Sequence, residues 1–155
     1  MGEVVVGVDG SDAGAAVLAW AVEEAALRGA ALRVVNVTQS PAAWVGMGDA
    51  LGGAVYASIS DKDLETICLS TIEEALATVA IPAEVHVIED PQLGHAGDVL
   101  VRASRDAELL VVGSSGHGDI GSVLLGSVGM HCVHHARCPV VVVPTKAPKP
   151  VTPSA

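Results

Sequence analysis

Aromatic residues are nearly missing from this chain: Phe is absent, Trp occurs at Trp20 and Trp44, and Tyr only at Tyr56. A core without them must be filled by Ala, Val and Leu, which favours closely layered α/β structure over a β-sandwich. Cationic residues are also scarce, 8 Lys and Arg against 18 Asp and Glu, for a net charge of −10. That balance repels a phosphate backbone and no local basic cluster offsets it, so nucleic acid is not an expected partner. No apolar run reaches the roughly 18 to 20 residues that cross a bilayer. Glu3 and Asp9 stand where a signal peptide would be basic and then apolar, and a cytoplasmic chain without membrane contact is expected. Cys68, Cys132 and Cys138 are an odd set without C-x-x-C spacing, which reads as reduced, buried thiols.

What is present suits one globular domain: 155 residues, 50% of them apolar and 17% charged, are enough to bury a core. EVVVGV at Glu3 to Val8 is a short β-branched run, followed by the turn Asp9-Gly10-Ser11 and an Ala-rich helix over Asp12 to Arg28, with Ser11 as N-cap and Gly29 as left-handed C-terminal cap. A second strand covers Leu32 to Val37. Thr38 to Ala57, with Pro41 and four glycines, reads as a long loop that folds over something. Ser60 and Asp63 match a capping box, and Leu64, Ile67, Cys68, Ile72, Leu76 and Val79 supply the stripe of an amphipathic helix. AEVHVI at Ala83 to Ile88 alternates like an edge strand. A helix over Ala96 to Arg105, a strand over Leu109 to Val112, a helix over Ser127 to His135 and a strand over Val140 to Val143 follow. The proline-rich tail from Thr145 to Ala155 reads as disordered, leaving 1–144 as the domain.

Strands alternating with helices imply right-handed crossovers and a five-stranded parallel sheet covered on both faces. Ligands of such sheets sit beyond the carboxyl ends of the strands, where strand order reverses. The loop-like ends here are Asp9-Gly10-Ser11 and the segment from Gly113. The second lies in VVGSSGHGDIGSVLLGSV, Val111 to Val128, which packs five glycines and four serines between apolar segments.

Three phosphate motifs compete for that loop. Gly116 to Gly121 spells G-x-G-x-x-G, but a dinucleotide site needs a helix to begin at once and an acid after the next strand, and neither is there. The same stretch has P-loop spacing, but Ser122 and Val123 occupy the Lys and Ser/Thr places. The third reading joins Gly113, Gly116 and, nine residues on, Gly126-Ser127. Glycines after the strand permit close backbone approach, and Gly126-Ser127 opens a helix whose free N–H groups receive phosphate. A glycine-rich surface loop with an ordinary N-cap serine would show the same spacing.

His131, Cys132, His134, His135 and Cys138 form a second cluster. His131 and His135 share a helix face and could hold Zn²⁺, but the motif lacks the acid of H-E-x-x-H, and solvated histidines at a helix C-terminus are the simpler reading. No metal site is assigned. Between Gly113 and Ser127 there is no Lys or Arg to stabilise a transferring phosphoryl group, and Asp119 is the only carboxylate, so no catalytic residue is assigned.

The G-x-x-G-(nine residues)-G-[ST] pattern resembles the nucleotide loop of the universal stress protein family. VVVGVDGS at Val4 to Ser11, LLVVGSSGHG at Leu109 to Gly118, LLGSV at Leu124 to Val128 and HHARCPVVVVP at His134 to Pro144 are similar to that family's segments, in order and spacing. The resemblance implies a single-domain three-layer α/β/α fold of the adenine nucleotide alpha hydrolase-like type, with sheet order 3-2-1-4-5. It also implies a homodimer that binds ATP across the first and fourth strands. Carried onto this sequence, it puts Asp9, with Gly10 and Ser11, at the nucleoside end, and the main chain near Val37 along the adenine. Gly113, Ser115, Gly116, Gly126, Ser127 and Val128 would surround the ribose and phosphates. Ser115 and His117 stand where relatives carry basic residues, so Mg²⁺ or Mn²⁺ is expected to accompany the nucleotide. The function implied is a nucleotide-responsive regulatory or protective dimer in stress adaptation, with an unidentified downstream protein partner; the uncharged strand Val140 to Val143, expected at a sheet edge, would pair with its symmetry mate. The alternatives are a nucleotide-independent interaction module of the same fold and a slow ATPase.

Overall fold

A computed structural model describes residues 1–40, 58–114 and 125–145. Most of the expected 38–57 loop, Ser115 and Gly116, and the tail beyond Thr145 lie outside the described residues. The elements run β1 (Glu3–Gly7), α1 (Gly14–Arg28), β2 (Ala31–Thr38), α2 (Asp61–Leu76), β3 (Val87–Leu93), α3 (Ala96–Ala103), β4 (Leu109–Gly113), α4 (Ser127–His135) and β5 (Val140–Val143). The strands form one sheet in the order β3-β2-β1-β4-β5, every neighbouring pair parallel, as expected.

Alternation along the strands divides the core into two layers. Val4 and Val6 of β1 join Leu32, Val34, Leu109 and Val111 beneath α1 and α2. Val5, pointing the other way, joins Val35, Leu110 and Val112 beneath α3 and α4. Central strands buried on both faces have no polar side, which explains their unbroken Val/Leu runs.

Gly29 takes φ 60° and its N–H and that of Ala30 close the last turn of α1, the left-handed cap expected of glycine there. Ser60 and Asp63 form the full capping box of α2. Leu64, Cys68 and Ile72 are the buried line of that helix, while Ile67 is half exposed and Val79 lies beyond the helix end.

Two expectations are corrected. α1 begins at Gly14 with Ala13 as N-cap, because the Ser11 hydroxyl donates to Asp9 Oδ1 instead of capping the helix. The third strand is Val87–Leu93, not Ala83 to Ile88: the Val85 N–H closes a turn onto the Pro82 carbonyl, and pairing with β2 starts at Val87 opposite Leu32. β3 is an edge strand as expected. That position tolerates Pro91, whose missing N–H would break an interior ladder.

Candidate functional site

Sheet order reverses at β1 and β4, and a cavity of about 550 Å³ opens beyond the carboxyl ends of β1, β2 and β4. Its nucleus is the turn after β1. Gly10 takes φ 79°, a backbone conformation closed to most side chains, and so turns the chain back at once. Asp9 Oδ1 then accepts from the Ser11 N–H at 3.0 Å and from its hydroxyl at 2.6 Å, which fixes the carboxylate on the cavity rim.

The next wall is the end of β2. Asn36 is buried, and its side-chain amide donates to the Val8 carbonyl at 2.8 Å, joining the ends of β1 and β2. Val37 and Thr38 follow it along the cavity, and Thr71 of α2 stands on the same side.

Gly113 and the first turn of α4, Ser127 to Gly129, supply the far wall. The Gly126 N–H donates to the Ser114 carbonyl at 2.8 Å, so the two described ends of the glycine loop are joined. A Cβ on Gly129 would come within 2.6 Å of Leu125 Cδ1 and 3.5 Å of the Gly113 carbonyl, so a glycine lets the helix start lie against β4. Gly7 does the same for α3: a Cβ there would meet Leu100 Cδ1 at 2.9 Å. Thr145, just past β5, completes the lining.

The described lining carries no cationic side chain. Asp9 is the only charged residue among the described residues of the lining. The starts of α1, α3 and α4 reach the cavity at Gly14, Ala96 and Ser127, and their N-cap residues, Ala13, His95 and Gly126, supply no side-chain cap. The capping box is on α2, whose first turn does not line the cavity. The Gly14 and Ala15 N–H groups of α1 already donate to the Ser11 and Asp12 carbonyls, so α1 brings its dipole, and it is the starts of α3 and α4 that put backbone donors where an anion would sit.

Seven of the expected site residues line this one cavity: Asp9, Ser11, Val37, Gly113, Gly126, Ser127 and Val128. Gly10 shapes the turn but is not on the wall, and Ser115 and Gly116 lie outside the described residues. Asn36, Thr71, Ala96 and Thr145 were not anticipated. Asn36 left a signal, a lone amide inside a buried aliphatic strand; Thr145 left none, since it opens a proline-rich stretch.

The histidine and cysteine cluster is separate. His131 Nε2 lies 2.9 Å from Asp98 Oδ1, and its ring stacks on His135 at 4.3 Å between centroids. His135 Nδ1 is 2.9 Å from the His131 carbonyl. Cys132 is buried, and desolvation, with Cys138 nearby, pushes its thiol up to about 11. Among the described residues, no three His, Cys, Asp or Glu side chains come together as a metal site.

Comparison with known proteins agrees with the architecture. The model of the universal stress protein family matches residues 1–144. A universal stress protein of Mycobacterium tuberculosis is 35% identical over 156 aligned positions, which take in 98% of this chain and 52% of the relative. The chain thus spans about half the length of the curated relatives it matches. Among solved structures, a universal stress protein in complex with cAMP superposes with a TM-score of 0.60 at 28% identity, over 94% of this chain and 98% of that one. UspA from Lactobacillus plantarum has the same fold, with a TM-score of 0.71 at 21% identity, over 92% and 97% of the two chains.

Proposed function

The chain belongs to the universal stress protein family, and we propose that it binds ATP in the cavity between β1 and β4 and acts as a nucleotide-responsive dimer in stress adaptation. The observation that carries this reading is the convergence of the α3 and α4 N-termini, neither with a side-chain cap, on a glycine-walled cavity. Its volume lies within the range of roughly 300 to 1,000 Å³ usual for small-molecule sites. A relative at 28% identity has been solved with cAMP, which supports an adenine nucleotide as the class of ligand.

In this reading the Asp9 carboxylate, held through Oδ1 by Ser11, takes a nucleoside hydroxyl with its second oxygen. The backbone at Val37 runs along the base. Gly113, with Ser115 and Gly116 of the glycine loop, and the Gly126 to Val128 turn surround the phosphates. A divalent ion, Mg²⁺ or Mn²⁺, neutralises charge when it accompanies the nucleotide. Asp9 is the only carboxylate on the described lining and sits at the nucleoside end, so phosphate oxygens and water would be the ion's main ligands. Among the described residues no Lys, Arg or His lines the cavity, and the glycine loop has no Lys or Arg in its sequence to stabilise a transferring phosphoryl group. Hydrolysis is therefore expected to be slow, and the site holds a nucleotide rather than turning it over.

The proposed dimer pairs β5 with its symmetry mate through the open edge, in the cytoplasm, and passes its state to a downstream protein. Mass spectrometry of the ligand released on denaturing freshly purified protein tests the reading: adenine nucleotide in stoichiometric amount supports it. Protein that emerges empty and then fails to take up ATP overturns it in favour of a nucleotide-independent module.

A further inference from the structure

Asn36 interrupts the aliphatic run Val34 to Val37 of β2, and it is buried, 6% exposed. By alternation it shares a face with Leu32 and Val34, beneath α1 and α2, and lines the cavity there with Val8 and Val17. Its amide can sit only one way round. The Val8 carbonyl is purely an acceptor, so the nitrogen must face it, as it does at 2.8 Å, and Oδ1 is turned away. The Val8 N–H donates to the Val35 carbonyl at 2.9 Å, so the backbone that Asn36 grips is held through both of its polar groups. Among the described residues none donates to Asn36 Oδ1, and none of their buried side-chain polar atoms is sealed off without a partner. That oxygen is therefore open, and what it opens on is the cavity.

We infer that Asn36 Oδ1 reads the base of the nucleotide, accepting from the 6-amino group of a purine and so selecting adenine over 6-oxo purines; the inference rests on the nucleotide reading above. Position separates its role from that of Asp9. Asp9 is exposed at the rim, where a ribose hydroxyl meets solvent, whereas Asn36 lies deeper in the wall, beside valines that suit the face of a flat base. An acceptor fixed at this depth discriminates. A ligand that brings an N–H gains a hydrogen bond, while one that fills the space without a donor leaves a buried acceptor unpaired. A 6-oxo purine fares worse still, since its carbonyl would face the Asn36 carbonyl, oxygen to oxygen. The amide cannot rotate to present its nitrogen instead, because Oδ1 would then meet the Val8 carbonyl. Nor does Thr71, on the same side, offer a 6-oxo group a proton: its hydroxyl donates to the Ile67 carbonyl at 3.0 Å.

The test titrates the parent, Asn36→Ala and Asn36→Leu with ATP, ITP, 2′-deoxy-ATP and purine riboside 5′-triphosphate, which has hydrogen in place of the 6-amino group, each with Mg²⁺. Leucine fills the space of the amide, so that a hole left by alanine does not decide the outcome. The parent should bind ATP about tenfold more tightly than the analogue without the amino group, and ITP no better than that analogue. In the variants ATP should weaken by about that factor, and the preference for the amino group should shrink to within about twofold. The ratio of ATP to 2′-deoxy-ATP affinity should be the same in all three proteins. Variants that weaken every nucleotide together and keep the base preference overturn the assignment, as do variants that lose a ribose preference instead. A parent that binds ATP, ITP and the purine riboside analogue equally overturns it without recourse to any variant. A parent that binds no nucleotide of the set overturns the nucleotide reading, and the role of Asn36 with it.

Discussion

Replacement of Gly126 by alanine separates binding from folding. Gly126 is the N-cap of α4 with φ −63° and ψ 167°, extended backbone that alanine adopts without strain, unlike Gly10 at φ 79°. Its N–H donates to Ser114 and its carbonyl accepts from the Met130 N–H at 2.9 Å, and both bonds survive the substitution. Alanine is a poorer N-cap than glycine, which sets the stability cost on the order of 1 kcal/mol. Against a usual stability of about 5–15 kcal/mol, that lowers the melting temperature by roughly 2–4 °C and leaves the protein folded. The added Cβ, however, projects where a phosphate would approach the first turn of α4. Displacing that phosphate from one charge-assisted N–H bond costs about 1.5–3 kcal/mol, roughly 10- to 100-fold in affinity. Calorimetric titration with ATP beside a thermal melt reads both quantities. A variant that binds ATP like the parent, or that loses ATP only because it melts far below it, would show that Gly126 serves the turn alone.

ATP should bind more weakly in EDTA than in Mg²⁺, because no side-chain cation on the described lining neutralises the triphosphate; equal affinities would sink that expectation. The Pro139 and Val143 carbonyls face β4, so Val140 and Val142 direct their backbone groups to the open edge, and Val142→Pro should remove an outward N–H while sparing the β4 ladder. Light scattering should report a dimer for the parent and a monomer for the variant, and a monomeric parent would refute edge pairing. The raised Cys132 thiol stays protonated in the folded state while the unfolded chain loses that proton near pH 9, so its contribution to stability is full below pH 9 and is lost as pH rises to about 11. Denaturant titrations at pH 7, 9 and 10.5 should show this decline reduced in Cys132→Ala; an identical decline in both proteins would place its origin elsewhere.

Most strands and the helix ends were legible because they rest on local signals, whereas the strand order and most of the cavity wall came from the family resemblance. A continuous valine run marks a strand buried on both faces, Ser60 and Asp63 mark a helix start, and Gly29 marks a helix end. The errors came where one residue had two partners to choose from. Ser11 has the chemistry of an N-cap, yet its hydroxyl reaches Asp9 two residues away, and the shorter contact won. Alternation in AEVHVI suggested a strand, but the turn closed by Val85 displaced pairing toward Pro91, which spacing alone counts against a strand. Thr145 was beyond reach for another reason. Its place in the site depends on Ser114, 31 residues earlier, and no local pattern encodes that contact.

The central claim is that an adenine nucleotide occupies the cavity beyond β1 and β4, and amide chemical-shift mapping on isotope-labelled protein tests it most directly. Addition of ATP with Mg²⁺ should give saturable shifts at Asp9 to Ser11, Asn36 to Thr38, Gly113 and Ser127 to Gly129, the segments that meet at this wall. The open groove between α1 and the chain following α2, lined by Val22, Leu27 and Val79, should stay unperturbed. Saturable shifts centred on that groove, or none at any nucleotide concentration, would contradict the account.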